Sequence, residues 1–327
     1  MTTATPAARS RRAASGQAAE TGEPAPHRIG TEPLRSTFQA SWTALGALCR
    51  RDLLVLRKHL VEFVLRVLIQ PFLLVFVFLY VFPSIGQGIG GSHPTASLAG
   101  GAAGAAAAAA AGRAGESAFA TVLVPGVVAI SIMFQGIQAV ALQLAQEFGF
   151  TREIEDRVQA PCPIWLVAMA KVLSGAAQAV LSAVIVFPIA AVIHAPDVKP
   201  DLVFHWAIIL TLIPLASVAM TSLGLLLGTK FEPRNIGLMF GFIVLPLTFL
   251  GGTYYQWTKL APVRIGSFHW LQTLVLVNPL IYITEGMRAA FTGASHMHLY
   301  VIYPVLVGFC VLFITLGLRN FRKRVLS

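Results

Sequence analysis

Charge is what this chain lacks most. Only 12% of its 327 residues are Asp, Glu, Lys or Arg, against about 25% in ordinary soluble domains. Mean hydropathy is +0.73, which excludes a soluble globular fold. Catalytic signatures are missing too. No GxxxxGK[ST] phosphate loop, HExxH helix or GxSxG elbow occurs. The run Gly224–Lys230 has a few of the phosphate-loop residue types but the wrong order, and it closes an apolar stretch. His296 and His298 have no third ligand at metal spacing. Cys49, Cys162 and Cys310 are too few and too widely separated for a disulfide framework or a zinc site. No nucleotide, metal or acyl-transfer centre is therefore expected in this chain, and a nucleotide that drives it must be hydrolysed elsewhere.

Long continuous apolar runs are present, without the two-residue alternation of barrel strands. Each is close to the roughly 20 residues needed to cross a bilayer. The sequence predicts an all-α polytopic membrane protein with six transmembrane helices, near 61–82, 119–145, 166–193, 206–228, 236–255 and 299–318. An interfacial amphipathic helix is predicted before them. Over 41–60, Trp42, Leu45, Leu48, Leu53, Leu56 and Leu60 recur at helical spacing, opposite Arg50, Arg51, Arg57 and Lys58. Residues 1–40 lack an apolar core and read as a disordered cytoplasmic tail without a cleavable leader. The membrane part is 41–325. Within it, the Ala/Gly-rich stretch 83–118 is expected to be an outer loop, and 256–298 an outer re-entrant segment. Glu62 and Arg66, one turn apart, predict an ion pair at the membrane edge.

The net charge of +10 is explained by membrane topology rather than by nucleic acid. If N- and C-termini are both cytoplasmic, the inner segments hold Arg50, Arg51, Arg57, Lys58, Arg152, Arg157, Lys230, Arg234, Arg319, Arg322, Lys323 and Arg324. The outer segments hold only Arg113, Lys199, Lys259, Arg264 and Arg288. That asymmetry is the positive-inside rule. It implies a multi-pass protein of the cell membrane in contact with lipid, with no nucleic-acid partner.

The most informative segment is a charged island, 146–165, between the second and third runs. Phe148, Phe150, Ile154 and Val158 can share one side of a short helix, while Glu147, Arg152, Glu153, Asp156 and Arg157 supply charge. Pro161 and Pro163 would stop it before the next span. Such a helix can dock in a groove on a soluble partner, with charge setting its orientation. An ordinary solvated loop is the plainer alternative. Further on, Asn278-Pro279 can start a helix that puts Glu285 and Arg288 on one face. Such a helix serves either as an outer gate or as a cap that satisfies its own charges.

Three stretches give the chain a family likeness: FTREIEDRVQAPCPIWLVAMAKVL from Phe150, PLTFLGGT from Pro246, and NPLIYITEGMR from Asn278. Together they resemble the membrane subunit of ABC-type exporters, in the type-2 permease family that includes daunorubicin-resistance-like drug exporters. The resemblance implies six spans per subunit, a homodimer of this chain, and two ABC ATPase subunits that carry ATP and Mg. It assigns ATPase coupling to the island (Glu147, Phe148, Phe150, Arg152, Glu153, Ile154, Asp156, Arg157, Val158). A substrate path is expected along Phe72, Phe76, Gln135, Gln138, Phe242, Thr248 and Tyr254, and an outer gate at Asn278, Glu285 and Arg288. The cargo would be a lipophilic or amphipathic compound. An exporter of polysaccharide or lipid-linked glycan would share this pattern, and an intramembrane enzyme is a further alternative.

Overall fold

The computed structural model describes residues 37–84, 101–151, 163–193, 200–263 and 269–326. Every regular element among them is helical. We number the helices α1 (Thr37–Lys58), α2 (Leu60–Val75, continued by a π-helical turn Phe76–Val81), α3 (Gly101–Gln146), α4 (Ile164–Val192), α5 (Trp206–Lys230), α6 (Pro233–Phe249), α7 (Trp270–Val275), α8 (Pro279–Phe291) and α9 (Leu299–Leu326). Ser41–Ser327 forms one compact unit.

Five helices are long and apolar enough to cross a membrane: α2, α3, α4, α5 and α9. The span expected over 236–255 is cut short. At about 25 Å, α6 falls below the roughly 30 Å of hydrocarbon. It begins in a 3-10 turn at Pro233, passes through a π-helical turn at Phe240–Val244 and stops at Phe249. Gly251 and Gly252 then reverse the chain, and Gly252 adopts a φ of 68°, where a side chain would be strained. The second departure concerns the Ala/Gly-rich stretch. From Gly101 it is helical and runs without a break into the expected second span. The resulting 46-residue helix is about 69 Å long, so its N-terminal part extends beyond any bilayer. Alanine is the best helix former, and that propensity overrides the low hydropathy that suggested a loop.

The membrane-spanning helices α2, α3, α4, α5 and α9 each carry one internal proline: Pro71, Pro125, Pro188, Pro214 and Pro304. Spanning helices tolerate such breaks because neighbours re-satisfy the freed carbonyls. The bundle is centred on α3 and α5, which pack on each other and on α4, α8 and α9. Two-thirds of the apolar window of α3 is buried (67%), against 22% for α2 and for α9. The outer helices therefore leave broad apolar faces for lipid or for another chain.

Lipid is as apolar as leucine, so close packing rather than water exclusion holds such helices together. The α3–α5 seam shows this. A Cβ on Gly136 would stand 2.9 Å from Met220 Cβ, and one on Gly224 2.8 Å from the Ile137 carbonyl oxygen. A second core joins Phe63, Val67, Val75 and Leu79 of α2 to Leu123, Val127 and Val186. A third joins Val140, Leu144, Val167, Val172, Leu225 and Phe321 at the end of the bundle that carries Glu147.

Candidate functional site

The island begins where α3 loosens into a π-helical turn, Glu147–Thr151. Glu147 is buried, and its Oε1 accepts a hydrogen bond from Nζ of Lys171, itself 4% exposed on α4. This ion pair ties the exit of α3 to the entry of α4, the two stems of the loop. Pro163, in extended geometry, is the N-cap residue of α4.

Phe148 is held from another side. Its ring meets Phe321 of α9 edge-on at 6.0 Å, and the Arg324 guanidinium sits 4.5 Å over its face. Arg324 Nη1 also donates to the carbonyls of Gly228 (3.2 Å), Thr229 (3.3 Å) and Phe231 (2.8 Å). These lie at the C-terminal end of α5, where helical carbonyls have no partner of their own. Gly149 comes so close to the start of α6 that a Cβ would stand 2.7 Å from Pro233 Cβ. Glu147, Phe148 and Gly149 thus touch α4, α9 and α6 directly, and α5 through Arg324. Arg152, Glu153, Ile154, Asp156, Arg157, Val158 and the side chain of Phe150 lie outside the described residues.

The sequence reading missed Lys171 and undervalued Arg324. Lys171 was visible as a lone cation eight residues into an apolar helix, a position that marks function or pairing. Arg324 was counted only toward membrane orientation.

The residues expected on a substrate path do not converge within one chain. Phe72, Phe76 and Tyr80 form an exposed file on α2, with consecutive ring centroids 5.8 and 5.3 Å apart. Gln135 is buried, and its Nε2 donates to Gln178 Oε1 of α4 at 3.2 Å. Gln138 is half-buried one turn away. Phe242 is 79% exposed on α6. Thr248 is buried and donates only to the Val244 carbonyl of its own helix. Tyr254 packs on Phe78 and Phe249 and lines an open cleft of about 740 Å³ with Phe119, Asp201, Gln256 and Lys259. The expected Glu62–Arg66 ion pair does not form. Glu62 Oε2 lies 3.4 Å from His59 Nδ1 instead.

Beneath that cleft is a buried latch. Asn278 caps α8 by accepting from Leu280 N at 2.9 Å, and its Nδ2 donates to the Leu247 carbonyl at 2.7 Å. Glu285 and Arg288 are both 0% exposed. Arg288 Nη1 donates to Glu285 Oε1 at 2.8 Å, and Nη2 to the carbonyls of Gly252 and Tyr255. Glu285 accepts further from the backbone nitrogens of Trp257 (2.9 Å) and Met297 (3.0 Å). Burial pushes the Tyr255 phenol above its ordinary range, against the opposing pull of the Gly252 backbone and of Arg288. The pair lines no opening. It fastens the Gly251–Trp257 turn to α8 and to the start of α9.

Residues 43–292 match the ABC-2 type transporter family. The chain belongs to that family. It is also 30% identical over 194 residues to the inner membrane transport permease YadH of Escherichia coli K12, across 58% of this chain and 70% of the relative. The same values hold for YadH of E. coli O157:H7 and of Shigella flexneri. No solved structure matches the chain. An ABC-2 permease is a multi-pass subunit of a bacterial inner-membrane ABC transporter, a transport subunit rather than an enzyme, and works with an ABC ATPase.

Proposed function

We propose that this permease exports a lipophilic or amphipathic compound, as a homodimer that engages two ATPase subunits holding ATP and Mg. The observation that carries the reading is the fastening of Glu147, Phe148 and Gly149 to α4, α9 and α6. A short segment clamped to that many elements can pass a displacement of the island 146–165 into the whole bundle. In the proposed cycle, ATP-driven closure of the partner subunits moves the island. The bundle then shifts between a state open to the inner leaflet and one open to the cleft bordered by Tyr254, Asp201 and Lys259. The exposed apolar faces of α2 (Leu65, Ile69, Phe72, Phe76) and α6 (Leu238, Phe242, Phe249) support a second copy as the neighbour there. In that dimer, Phe72, Phe76 and Phe242, exposed in one chain, would face the second copy across the interface. The Asn278–Glu285–Arg288 latch would keep the outer end rigid while the inner end moves.

The test is co-purification from the native membrane. An ATP-binding subunit should accompany the wild type and be lost from an Ile154→Asp, Val158→Asp double variant. If none accompanies the wild type under mild detergent, the coupling role of the island fails.

A further inference from the structure

Arg66 lies inside the apolar stretch Leu60–Val81. With Gln70 it rims a small notch where α2 meets α3 and α4. Ser131, Gln135 and Gln138 of α3 and Ser182 of α4 line the rest of its polar wall. At about 1.5 Å per residue, Arg66 stands roughly 9 Å along α2 from Leu60 and roughly 22 Å from Val81. A cation inside an apolar span is costly unless something pairs with it, and it marks a functional site by default. No acid lines the notch. Among the described residues, no carboxylate lies within ion-pair distance of Arg66.

A second observation is independent of the charge. Ser182 is 0% exposed, and its hydroxyl has no hydrogen-bond partner. A buried hydroxyl left unpaired is unfavourable, and native folds rarely keep one without a reason. Here the side chain borders a space of about 30 Å³. That space admits a few atoms, not a whole molecule. Arg66 and Gln70 are exposed at its mouth. Beyond it, Ile69 and Leu73 and the file Phe72, Phe76 and Tyr80 leave an apolar, aromatic track along α2.

A narrow cationic seat continued by an apolar track fits one class of molecule. We infer that the notch binds the anionic head of an amphiphile, a carboxylate or a phosphate, with its chain lying along α2, between that face and the second copy proposed to face it. Arg66 supplies charge-assisted hydrogen bonds. The Gln70 and Gln138 amides and the Ser182 hydroxyl supply neutral donors. A cationic head finds no counter-charge in this seat. The inference rests on the export reading only insofar as it names the cargo class, because the seat itself serves a transported amphiphile or a resident anionic lipid equally.

The experiment uses the full chain in nanodiscs of zwitterionic phosphatidylcholine. The probe is a diazirine-bearing stearic acid, with cross-linked peptides mapped by mass spectrometry. Competitors are oleic acid, its methyl ester and phosphatidylglycerol. Saturable labelling is expected on the peptides of α2 and α3 that flank the notch. Oleic acid should compete better than its methyl ester by roughly tenfold or more. Arg66→Gln should weaken labelling by a similar factor, whereas Arg66→Lys, which keeps the charge on a different geometry, should stay within about threefold of wild type. Ser182→Ala should weaken labelling by a few-fold. Competition by phosphatidylglycerol assigns the seat to lipid headgroups, and competition by the free acid alone assigns it to a cargo-like amphiphile; both support the inference. Equal competition by acid and ester, unchanged labelling in Arg66→Gln, or no labelling of these peptides overturns it and leaves the notch to water. Arg66→Gln does not touch the island, so ATPase co-purification should be unchanged. Anion selectivity without any co-purifying ATPase would sink the export reading alone.

Discussion

The guanidinium of Arg324 lies 4.5 Å over the ring of Phe148 while it donates to three carbonyls at the end of α5. One cation therefore closes off α5 and roofs the first aromatic residue of the island. Displacement of Phe148 must disturb α5 and α9 together. Phe148→Ala and Arg324→Ala, made singly and jointly, should give a coupling energy of about 0.5–2 kcal/mol in a stability cycle. Strictly additive losses would mean that the two side chains are neighbours without interacting.

The Glu147–Lys171 pair sets a different kind of test, because both charges are buried. Removing one partner strands the other. Lys171→Met alone should destabilise the protein by about 3–5 kcal/mol, and Glu147→Leu with Lys171→Met together should recover most of that loss. Unfolding of the purified variants in mixed detergent measures it. A double variant no more stable than either single one would show that the pair does not hold the loop stems.

Much of this arrangement was legible in the sequence, for identifiable reasons. Apolar length picked out the five spanning helices, and local charge density the connection between α3 and α4, whose stems the structure describes. What one-dimensional reading lacked was tertiary partnership. The i, i+3 spacing of Glu285 and Arg288 announced a pair, but their other partners, Gly252, Tyr255 and Trp257, come from a turn 28 to 36 residues away. The spacing left an outer gate and a cap that satisfies its own charges equally open, and the structure has the pair as a buried fastening. Lys171 and Arg66 belong to neither side of the membrane count, and they prove to be an ion pair and the rim of a polar notch. The shortness of α6 was hinted at by Pro246 and the Gly251-Gly252 step, but apolar content alone continued the span to Tyr255.

Gly224 supports a prediction with its own control. A methyl group there would meet only backbone, at 2.8 and 3.0 Å from Ile137 and 3.1 Å from Gly136, so α3 and α5 would have to separate. Gly224→Ala should cost about 1–3 kcal/mol, in the range of other overpacked sites. Gly241→Ala, where nothing lies within 4 Å, should be neutral or mildly stabilising. Thermal unfolding in the same detergent compares them. Equal melting temperatures would show that the seam is looser than its spacing implies.

Arg288 gives the sharpest contrast between charge and shape. Its two terminal nitrogens point to different partners, Nη1 to Glu285 and Nη2 to the Gly252 and Tyr255 carbonyls. A lysine carries the same charge on one nitrogen and cannot span that fork. If the guanidinium fork fastens the turn to α8, Arg288→Lys should release the turn nearly as fully as Arg288→Ala. If charge alone matters, lysine should behave like the wild type. Lys259 reports the difference, since it sits exposed in the short 3-10 turn Trp257–Leu260, whose first backbone nitrogen is held by Glu285. Tryptic cleavage after Lys259 requires that turn to open locally, and at low protease its rate follows the open population. Losing about 1.4 kcal/mol of local fastening raises that population tenfold, so both variants should be cut at least tenfold faster than the wild type. A lysine variant cut at the wild-type rate would assign the latch to electrostatics alone and leave its geometry incidental.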